Sequence, residues 1–226
     1  MIGILFQLFL IYLVIMFIKN IMDMKKFNKD SSLVILEDFK IEPNKRIMDP
    51  LFIKYKMDNI NLKEFINNNL LNHYCNNNIC IRLSDFNTFN DLNIYNNNKL
   101  IDDLKLKSIS ESIIEKFKNM FSFNNKYSCS LFRGINSTNI NKNVNNIYII
   151  GCVLGKCNIY LYNPKHNDIL KDENIKKYSI KVELKEDNLL YIPTEWHYNI
   201  ETENDCILTH IRSDTYFTSL YNEYRN

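Results

Sequence analysis

The stretch that decides the fold is residues 187–200, which read DNLLYIPTEWHYNI. Its first half, Leu189–Ile192, is an apolar run too short for a helix, and Pro193 ends the run because proline has no N–H to donate to a sheet ladder. Trp196, the only tryptophan, then opens a second run of strand type. The pattern predicts a buried strand, a proline-led corner and a second strand that carries His197 near its start.

From Tyr127 to the end of the chain, the pattern is that of strands. Short apolar or alternating runs recur at regular spacing with turn residues between them, which indicates a β-barrel or a β-sandwich. Gly155 and Lys156 separate two of these runs and predict a hairpin turn. The predicted strands are 128–133, 146–154, 157–162, 180–184, 189–192, 196–201 and 206–212.

The region before these strands combines both kinds of element. Its pattern predicts strands at 50–55 and 79–83, amphipathic helices at 61–74 and 104–120, and a polar loop at 87–98. Asn61 is placed to cap the first helix. The fold class is therefore mainly β with N-terminal helices. We divide it into an α/β part at 46–126 and a β core at 127–226.

The N-terminal residues 2–18 carry no charge, and Lys19 can snorkel to extend this apolar run to the length of a bilayer span. No basic residue precedes the run and no small-residue cleavage site follows it, which favours an uncleaved transmembrane anchor at 1–22 over a signal peptide. The charged residues 23–45 predict a tether. Lysines follow the uncharged run at 19, 25, 26 and 29, so the positive-inside rule predicts a single-pass protein with a cytosolic C-terminal domain.

Composition narrows the class of function. The 226 residues are 46% hydrophobic, enough to build a core, and the net charge of +2 gives no case for a nucleic-acid partner. Alanine is absent, Gln7 is the only glutamine, and Asn, Lys and Ile are abundant. This bias is typical of an AT-rich coding sequence, such as that of a giant virus or an AT-rich unicellular genome.

The six cysteines are expected to be reduced if the domain is cytosolic. An alternative is that His73, Cys75 and Cys80 bind zinc, but no second cysteine pair at zinc-finger spacing completes such a site. Asn136 begins a glycosylation sequon, which has no role in a cytosolic domain.

Three motifs, taken in order, carry a family resemblance. They are the Asn-led strand Asn146–Ile150, the run Gly155–Pro164 with its glycine turn, and the corner Leu190–His197. Together they resemble the cupin-like group that includes the JmjC-type, Fe(II)- and 2-oxoglutarate-dependent protein hydroxylases. The resemblance covers about 127–215, and 46–126 in outline. It implies a double-stranded β-helix, a cupin or jelly-roll barrel, behind the N-terminal transmembrane helix.

The same resemblance implies a metal site and shows where this chain departs from it. The family holds Fe(II) with two His and one carboxylate, and the first two ligands fall at Asn139 and Asn141 here. From Gly134 to Tyr160 there is no His, Asp or Glu, and a neutral amide binds iron far more weakly. His197 is the best candidate for the third ligand, although an ungapped alignment puts Tyr198 at that position.

Other residues remain as alternatives for the pocket. The family's 2-oxoglutarate-binding lysine aligns with Cys157, and the neighbouring Lys156 can take its place. His166 and Asp168 form a His-x-Asp step that could join His197 or His210 as metal ligands, or could be a solvated turn. His210 either lines the pocket or is a hydrogen-bonded core histidine. The predicted pocket-lining residues are Asn139, Asn141, Tyr148, Lys156, Trp196, Tyr198 and His210.

These observations predict a membrane-anchored, cupin-like domain with a degenerate metal site and no cofactor, acting as a non-catalytic binding or scaffolding protein. Its expected partners are the lipid bilayer, through residues 2–18, and an unidentified protein. One alternative is an active Fe(II)- and 2-oxoglutarate-dependent hydroxylase with displaced ligands. Another is a sugar-binding or structural sandwich.

Overall fold

The computed structural model of this chain describes residues 2–37, 47–57, 60–76, 79–87, 92–117, 122–170 and 174–225. Its helices are α1 (Ile2–Met24), α2 (Leu62–Asn68), α3 (Asn98–Asp103), α4 (Lys107–Phe117) and α5 (Tyr216–Arg225). The first strands are β1 (Val34–Leu36), β2 (Leu51–Lys54), β3 (His73–Asn76), β4 (Ile79–Arg82), β5 (Asn93–Asn97), β6 (Ser122–Phe132), β7 (Asn136–Ser137) and β8 (Asn141–Lys142). The remaining strands are β9 (Ile147–Leu154), β10 (Lys156–Tyr162), β11 (Ser179–Lys185), β12 (Asn188–Tyr191), β13 (His197–Thr202) and β14 (Cys206–Thr215).

Most strands belong to two sheets. The larger has seven strands in the order β1-β2-β12-β9-β14-β6-β5, and the smaller has β11-β10-β13-β7, with β8 also paired to β13. Pairing is antiparallel except between β1 and β2, and β3 and β4 form a separate hairpin. Among the described strands from β6 onward, the chain crosses between the sheets at each connection except two: β7 and β8 both pair with β13, and β10 pairs with β11.

Alternation along the strands divides the apolar side chains into two cores. In β12, Leu190 packs between the two sheets, whereas Leu189 and Tyr191 point to the opposite face of the large sheet. In β9, Tyr148 and Ile150 alternate with their neighbours in the same way. The protein therefore has three layers: helices, the large sheet and the small sheet.

The helical layer covers the outer face of the large sheet. α2 buries Phe65 and Ile66, and α4 buries Ile113 and Ile114 against that face. The predicted cap is confirmed, since Asn61 Oδ1 accepts a hydrogen bond from the Glu64 amide at 3.3 Å.

The helix boundaries differ from the predicted ones. The helix predicted at 61–74 is α2, which ends at Asn68. Tyr74 lies in β3, where its side chain is buried. The predicted loop contains β5 and the start of α3, and α4 begins at Lys107 rather than at 104. A left-handed residue, Lys105 (φ 57°), separates α3 from α4. Residues 88–91 of the predicted loop and 118–120 of the predicted helix lie outside the described residues.

The proline-led corner forms as predicted. β12 ends at Tyr191, and β13 begins at His197. The amide of Trp196 donates to the Pro193 carbonyl at 3.3 Å. Glu195 adopts a left-handed conformation with φ 72°. The corner carries the chain from the large sheet to the small one.

The predicted hairpin at Gly155 is wrong. β9 pairs with β12 and β14, whereas β10 pairs with β11 and β13. Gly155 instead forms a crossover between the sheets, with φ +76°. An added Cβ would lie 2.2 Å from the Asp205 carbonyl oxygen, so no other residue type fits this corner without a shift.

The prediction of a mainly β protein with N-terminal helices is confirmed, whereas a closed barrel is not observed. Among the described residues, β1 and β5 are the outer strands of the large sheet, and the two sheets remain separate. The sheets face each other across a core that holds Trp196, Leu161 and Ile200.

The N-terminal helix has the features of a membrane span. α1 contains a stretch, Ile4–Asp23, of 20 residues with mean hydropathy 2.2 and no buried residues, which is long and apolar enough to cross a bilayer. Its C-terminal part packs on α5. The rings of Phe17 and Phe217 lie 6.0 Å apart, and the Thr218 hydroxyl donates to Asn20 Oδ1 at 3.4 Å.

The predicted tether is partly built into the domain. Val34–Leu36 forms β1 and extends the large sheet beside β2. Residues 38–45 lie outside the described residues. Within 23–37, the segment between α1 and β1 contacts the domain, since Asn163 donates to the Asn28 carbonyl at 2.8 Å.

The expectation that all six cysteines are reduced is also corrected. Cys75 and Cys80 face each other across the β3–β4 hairpin and form a disulfide. Their sulfurs are therefore not available to the zinc site considered above. The other four, Cys129, Cys152, Cys157 and Cys206, are free and buried.

Candidate functional site

A polar pocket opens at one end of the two sheets. It lies where β14 and the β8–β9 connection meet β5 and β6, and its volume is about 370 Å³. No acidic residue is among its described lining residues. The lining residues are Tyr95, Asn96, Lys126, Asn141, Lys142, Asn143, Val144, Asn145, Tyr148, Tyr198 and Arg212.

The Pro193 corner positions one wall of this pocket. Asn143 is buried in the β8–β9 connection, and its side-chain amide donates to the Ile192 carbonyl at 2.8 Å. Its backbone N–H donates to the Trp196 carbonyl at 2.8 Å, and its carbonyl accepts from the Glu195 amide at 2.7 Å. The stretch that decides the fold therefore also fixes the loop that lines the pocket.

Arg212 is the central charged group. It lies on β14, half-buried, with its guanidinium carbon 5.0 Å from the centre of the Tyr148 ring. Its Nη2 donates to Asn96 Oδ1 at 2.8 Å. Among the described residues, no carboxylate forms an ion pair with it within 4 Å. The guanidinium keeps its charge at any physiological pH, so the pocket holds a cation whose protein partners are an amide and an aromatic face.

The nearest acid on the same strand is occupied elsewhere. Asp214 lies two residues beyond Arg212, and its carboxylate accepts hydrogen bonds from Asn145 Nδ2 at 2.8 Å and from the Asn146 amide at 2.9 Å. Burial raises the pKa of Asp214, and these hydrogen bonds oppose the rise. Asp214 thus holds the β8–β9 connection against β14.

Two lysines stand at the rim. Lys126 is exposed and lies directly opposite Arg212 in the β6–β14 pairing. Lys142 is paired with Glu195 at 2.5 Å. The lining therefore presents three cationic side chains, one of which is neutralised by a neighbouring carboxylate.

A buried polar network forms the floor. His210 is fully buried, with Nε2 2.7 Å from the Ser130 hydroxyl and Nδ1 2.9 Å from the Tyr148 hydroxyl. Tyr148 in turn donates to the Tyr198 hydroxyl at 3.1 Å. Because a phenol has one proton, His210 Nδ1–H donates to Tyr148 and Ser130 donates to Nε2. Both ring nitrogens are therefore occupied.

The floor is electrically neutral at physiological pH. Burial lowers the pKa of His210 well below its usual range, and the positive charge of Arg212 lowers it further. Burial likewise raises the pKa of Tyr148 and of Tyr198 above that of a free phenol. The positive charge of the pocket lining therefore comes from Arg212 and the rim lysines, and the carboxylates of Asp214 and Glu195 beside it oppose that charge.

The predicted pocket residues divide into two groups. Asn141, Tyr148 and Tyr198 line the pocket, and His210 lies directly behind Tyr148. Asn139 is exposed, and Lys156 is exposed at the opposite end of β10. Trp196 is fully buried in the core between the sheets, and among the described residues its Nε1 has no hydrogen-bond partner.

The residues considered as metal ligands do not converge. No cluster of three or more His, Cys, Asp or Glu side chains suited to a metal occurs in the part of the chain that the structure describes. His166 and Asp168 lie on a surface 3₁₀ turn, where the His166 ring packs 5.3 Å from that of Tyr178. Both ring nitrogens of His210 are hydrogen-bonded, so neither is available to bind a metal. These side chains do not fit an Fe(II) site.

His197 is half-buried at the start of β13. Burial and the positive charge of Lys142 lower its pKa to about 4, and Glu195 opposes them. Its Nδ1 has no hydrogen-bond partner among the described residues. The ring is therefore neutral at physiological pH and stands beside the Lys142–Glu195 pair.

Sequence reasoning missed Arg212, Lys126, Lys142 and Asn96. The signal for Arg212 was present, because residues two apart on a strand share a face, and Arg212 follows His210 by two. The other three could not be found in the same way. They reach the pocket through cross-strand pairing and through loops, which periodicity does not report.

Comparison with known proteins adds a partial likeness in fold. Neither a protein-family model nor a characterised protein matches the sequence. Among solved structures, a cupin superfamily protein of Desulfitobacterium hafniense is similar over 40% of this chain and 67% of its own, with 12% identity and a TM-score of 0.31. The cupin domain of CENP-C from Drosophila melanogaster matches over 38% of this chain and 59% of its own, with 12% identity and a TM-score of 0.30.

A second structure of Drosophila melanogaster CENP-C, bound to CAL1, is similar over 38% of this chain and 62% of its own, with 13% identity and a TM-score of 0.30. Each likeness spans about two fifths of this chain and two thirds or less of the other.

Proposed function

We propose that this chain is a membrane-anchored domain of the cupin type, a double-stranded β-helix, that binds a small oxyanion in the Arg212 pocket without metal chemistry. The alternation of consecutive strands between two facing sheets supports the fold. The length and hydropathy of α1 support the anchor. A bound phosphate or carboxylate group is the ligand chemistry.

The environment of Arg212 carries this proposal. A charged group that is removed from water is costly unless a counter-charge or hydrogen bonds compensate it. Here the protein compensates Arg212 with one amide oxygen, the Tyr148 side chain and the charge of Asp214, which acts through space without an ion-pair contact. A guanidinium presents a planar set of donors that matches two oxygens of a phosphate or carboxylate, so an oxyanion supplies the missing partner.

The electrostatics of the walls favour the same class of ligand. Lys126 and Arg212 lie side by side across two strands with no acidic side chain among the described lining residues. These two cations repel each other, the carboxylate of Asp214 offsets part of this repulsion through space, and a bound anion relieves more of it. The volume of about 370 Å³ suits a small molecule or a headgroup.

The hydrogen bonding of the pocket floor supports binding rather than catalysis. His210 is the residue that could act as a base, but both its nitrogens are hydrogen-bonded and its proton affinity is depressed. An Fe(II)- and 2-oxoglutarate-dependent hydroxylase would need three ligands in one place, and the described residues do not bring them together. We therefore propose binding rather than catalysis as the role of this pocket.

Ligand-induced stabilisation tests the proposal. The full-length chain is placed in phosphatidylcholine nanodiscs and titrated with inorganic phosphate and with acetate while its unfolding temperature is followed. A ligand that binds only the folded state raises this temperature. We expect saturable stabilisation by at least one of the two anions and an affinity lowered about tenfold or more by Arg212→Gln, since a hydrogen bond to a charged group contributes about 1.5–3 kcal/mol.

Two variants keep the test specific. Lys126→Gln removes an exposed rim charge and is expected to weaken binding about threefold without affecting folding. Arg133→Gln is the same type of substitution at the opposite end of the sheets, where Arg133 directly follows β6. This variant should bind the anion as tightly as the unmodified chain does. If neither anion stabilises the protein, or if Arg212→Gln and Arg133→Gln behave alike, the proposal is wrong.

A further inference from the structure

We infer that the oxyanion in the Arg212 pocket is the phosphate of an anionic phospholipid headgroup, taken from the bilayer that α1 enters. This inference rests on the proposed function and adds the source of the ligand. Two separate routes of contact connect the end of α1 to the end of the sheets that carries the pocket.

The first route runs through α5 to the large sheet. α5 directly follows β14, and its Phe217 and Thr218 contact Phe17 and Asn20 of α1. These two α1 residues flank Lys19, where the uncharged run ends. α5 therefore lies at the depth where the chain leaves the hydrocarbon layer.

α5 also reaches the pocket itself. Asn222 donates to the carbonyl of the lining residue Val144 at 3.0 Å, and Asn124 of β6 donates to Ser219 at 3.3 Å. Asn124 is two residues from Lys126, or about 7 Å along the strand. The pocket residue Lys126 thus lies two strand residues from the contact with α5, the helix that packs on α1.

The second route runs through the segment after α1 to the small sheet. The carbonyl of Asn28 accepts from Asn163 at 2.8 Å, and that of Lys29 accepts from Lys165 Nζ at 2.5 Å. Asn163 follows Tyr162, the last residue of β10, which pairs with His197. His197 pairs in turn with the lining residue Lys142. In both sheets, therefore, the end that carries the pocket lies next to the C-terminal end of α1.

The surface chemistry of this end suits an anionic bilayer. Tyr216 at the start of α5 is 63% exposed beside Phe217, as expected for aromatic residues at a membrane interface. Basic residues are also found at this end: Lys19, Lys25 and Lys29 lie at or just after the end of the uncharged run, and Lys126 and Arg212 line the pocket. Lys26 and Lys142 are already paired with Asp23 and Glu195. Such a cluster next to a membrane span attracts anionic lipids, and Arg212 and Lys126 offer two cations for one phosphate.

Free phosphate from solution has the same chemistry, so the experiment separates the two sources. The full-length chain is placed in nanodiscs of phosphatidylcholine that contain a minor fraction of phosphatidic acid with a diazirine near its glycerol. A matched sample contains phosphatidylcholine with the same diazirine. After irradiation, the cross-linked residues are mapped by mass spectrometry. Inorganic phosphate binding is measured in parallel in nanodiscs of phosphatidylcholine alone.

We expect phosphatidic acid to cross-link lining residues at least tenfold more than the matched phosphatidylcholine does. Arg212→Gln should reduce this labelling about tenfold, Arg133→Gln should leave it unchanged, and excess inorganic phosphate should compete with it. Labelling of α1 by both lipids confirms that the chain is inserted in every sample.

Two results would overturn the inference. If phosphate binding depends on Arg212 but the pocket is labelled equally by both lipids, the ligand is a soluble anion and only the lipid source is wrong. If neither phosphate nor phosphatidic acid shows dependence on Arg212, the oxyanion pocket and the lipid source both fail. The Lys126→Gln variant serves as the second measurement if Arg212→Gln does not fold.

Discussion

The two ends of the facing sheets are built from the same kind of crossover, yet they differ in what their polar groups contact. At the end away from the pocket, the distal end, the chain crosses between the sheets at Gly155, at Glu186–Asp187 and near Asp205. At the proximal end it crosses at the Pro193 corner and through the β8–β9 connection, and the pocket lies between them.

At the distal end, acidic side chains satisfy backbone donors of the chain itself. Glu186 accepts from the Gly155 amide at 2.7 Å, and Asp187 accepts from the Met57 amide at 2.8 Å. Asp205 accepts from the Gly134 amide at 3.3 Å. These carboxylates provide hydrogen-bond acceptors for backbone amides at the connections between strands, so the polar groups at this end stabilise the fold.

At the proximal end, the side-chain amides of the β8–β9 connection have hydrogen-bond partners, but the Arg212 guanidinium forms no ion pair with a carboxylate of the described residues. Asn143 and Asn145 hold the lining loop in place, whereas Arg212 meets an amide and an aromatic ring. The two ends therefore differ in their charges: carboxylates accept from backbone amides at the distal end, whereas among the described residues no carboxylate lies within ion-pair distance of Arg212. Three substitutions test this division of roles.

The largest effect is expected from Gly155→Ala at the distal end. The alanine Cβ would meet the Asp205 carbonyl oxygen at 2.2 Å, and the backbone has φ +76°. Left-handed strain of about 1–2 kcal/mol and an overpacking cost of about 1–3 kcal/mol predict a loss of about 4 kcal/mol in the free energy of unfolding. Chemical denaturation of the full chain in detergent micelles measures this loss.

Gly134→Ala is the control for backbone strain alone, because Gly134 has a similar φ of 70°. We expect it to cost about 1–2 kcal/mol. Equal losses for the two variants would show that the close approach of Asp205 does not matter. Phosphate affinity of the folded fraction should be unchanged in both.

A smaller effect is expected from Tyr148→Phe at the pocket floor. The change removes the oxygen that accepts from His210 Nδ1–H and leaves a buried donor without a partner. We expect the free energy of unfolding to fall by about 2 kcal/mol. The ring that stacks on Arg212 is retained, so the phosphate affinity should change less than threefold.

Tyr178→Phe is the matched control, since Tyr178 is 53% exposed. Its cost should stay within about 0.5 kcal/mol. A Tyr148→Phe variant as stable as this control would refute the tautomer and network assigned to His210. Denaturation of both variants under identical conditions decides the matter.

The smallest effect concerns pH. The folded-state pKa of His197 is about 4, below the usual 6.5, so the unfolded chain binds more protons as the pH falls below about 6.5. Stability from this group is therefore complete above pH 6.5 and declines toward pH 4. His210, whose pKa is also lowered, acts in the same direction.

His197→Gln should flatten this decline by about 1 kcal/mol per pH unit, less than the full linkage value because solvent screens a partly exposed ring. Denaturation curves at about pH 5 and about pH 6.5 measure the slope, and a third at about pH 8 serves as the reference. Parallel slopes in the variant and the unmodified chain would contradict the depressed pKa of His197.

Much of the architecture could be predicted from periodicity and from residues with fixed backbone preferences. The corner at Pro193, the alternation in β11 and the cap at Asn61 are local, and each formed as expected. The hairpin at Gly155 was wrong for a physical reason. A glycine turn has the same sequence signal whether the next strand returns to its neighbour or crosses to another sheet.

The site was harder to predict than the fold. His210 and Tyr148 were identifiable as inward-facing residues of strands, and they do form one network. Lys126 enters the pocket only because β6 pairs with β14 in the register that sets it opposite Arg212. That register depends on contacts more than 80 residues apart in sequence, which no local pattern encodes.

The sequence by itself determined the apolar N-terminal segment, the strand-rich C-terminal half and the sharp corner between Ile192 and His197, because hydrophobicity, β-propensity and proline act within a few residues. The tertiary structure alone decided that α5 packs on α1, that the two sheets face each other, and that Arg212 meets no carboxylate among the described residues. Those outcomes depend on which distant groups become neighbours. A pocket is defined by such neighbours, whereas a strand or a turn is defined mainly by its own residues.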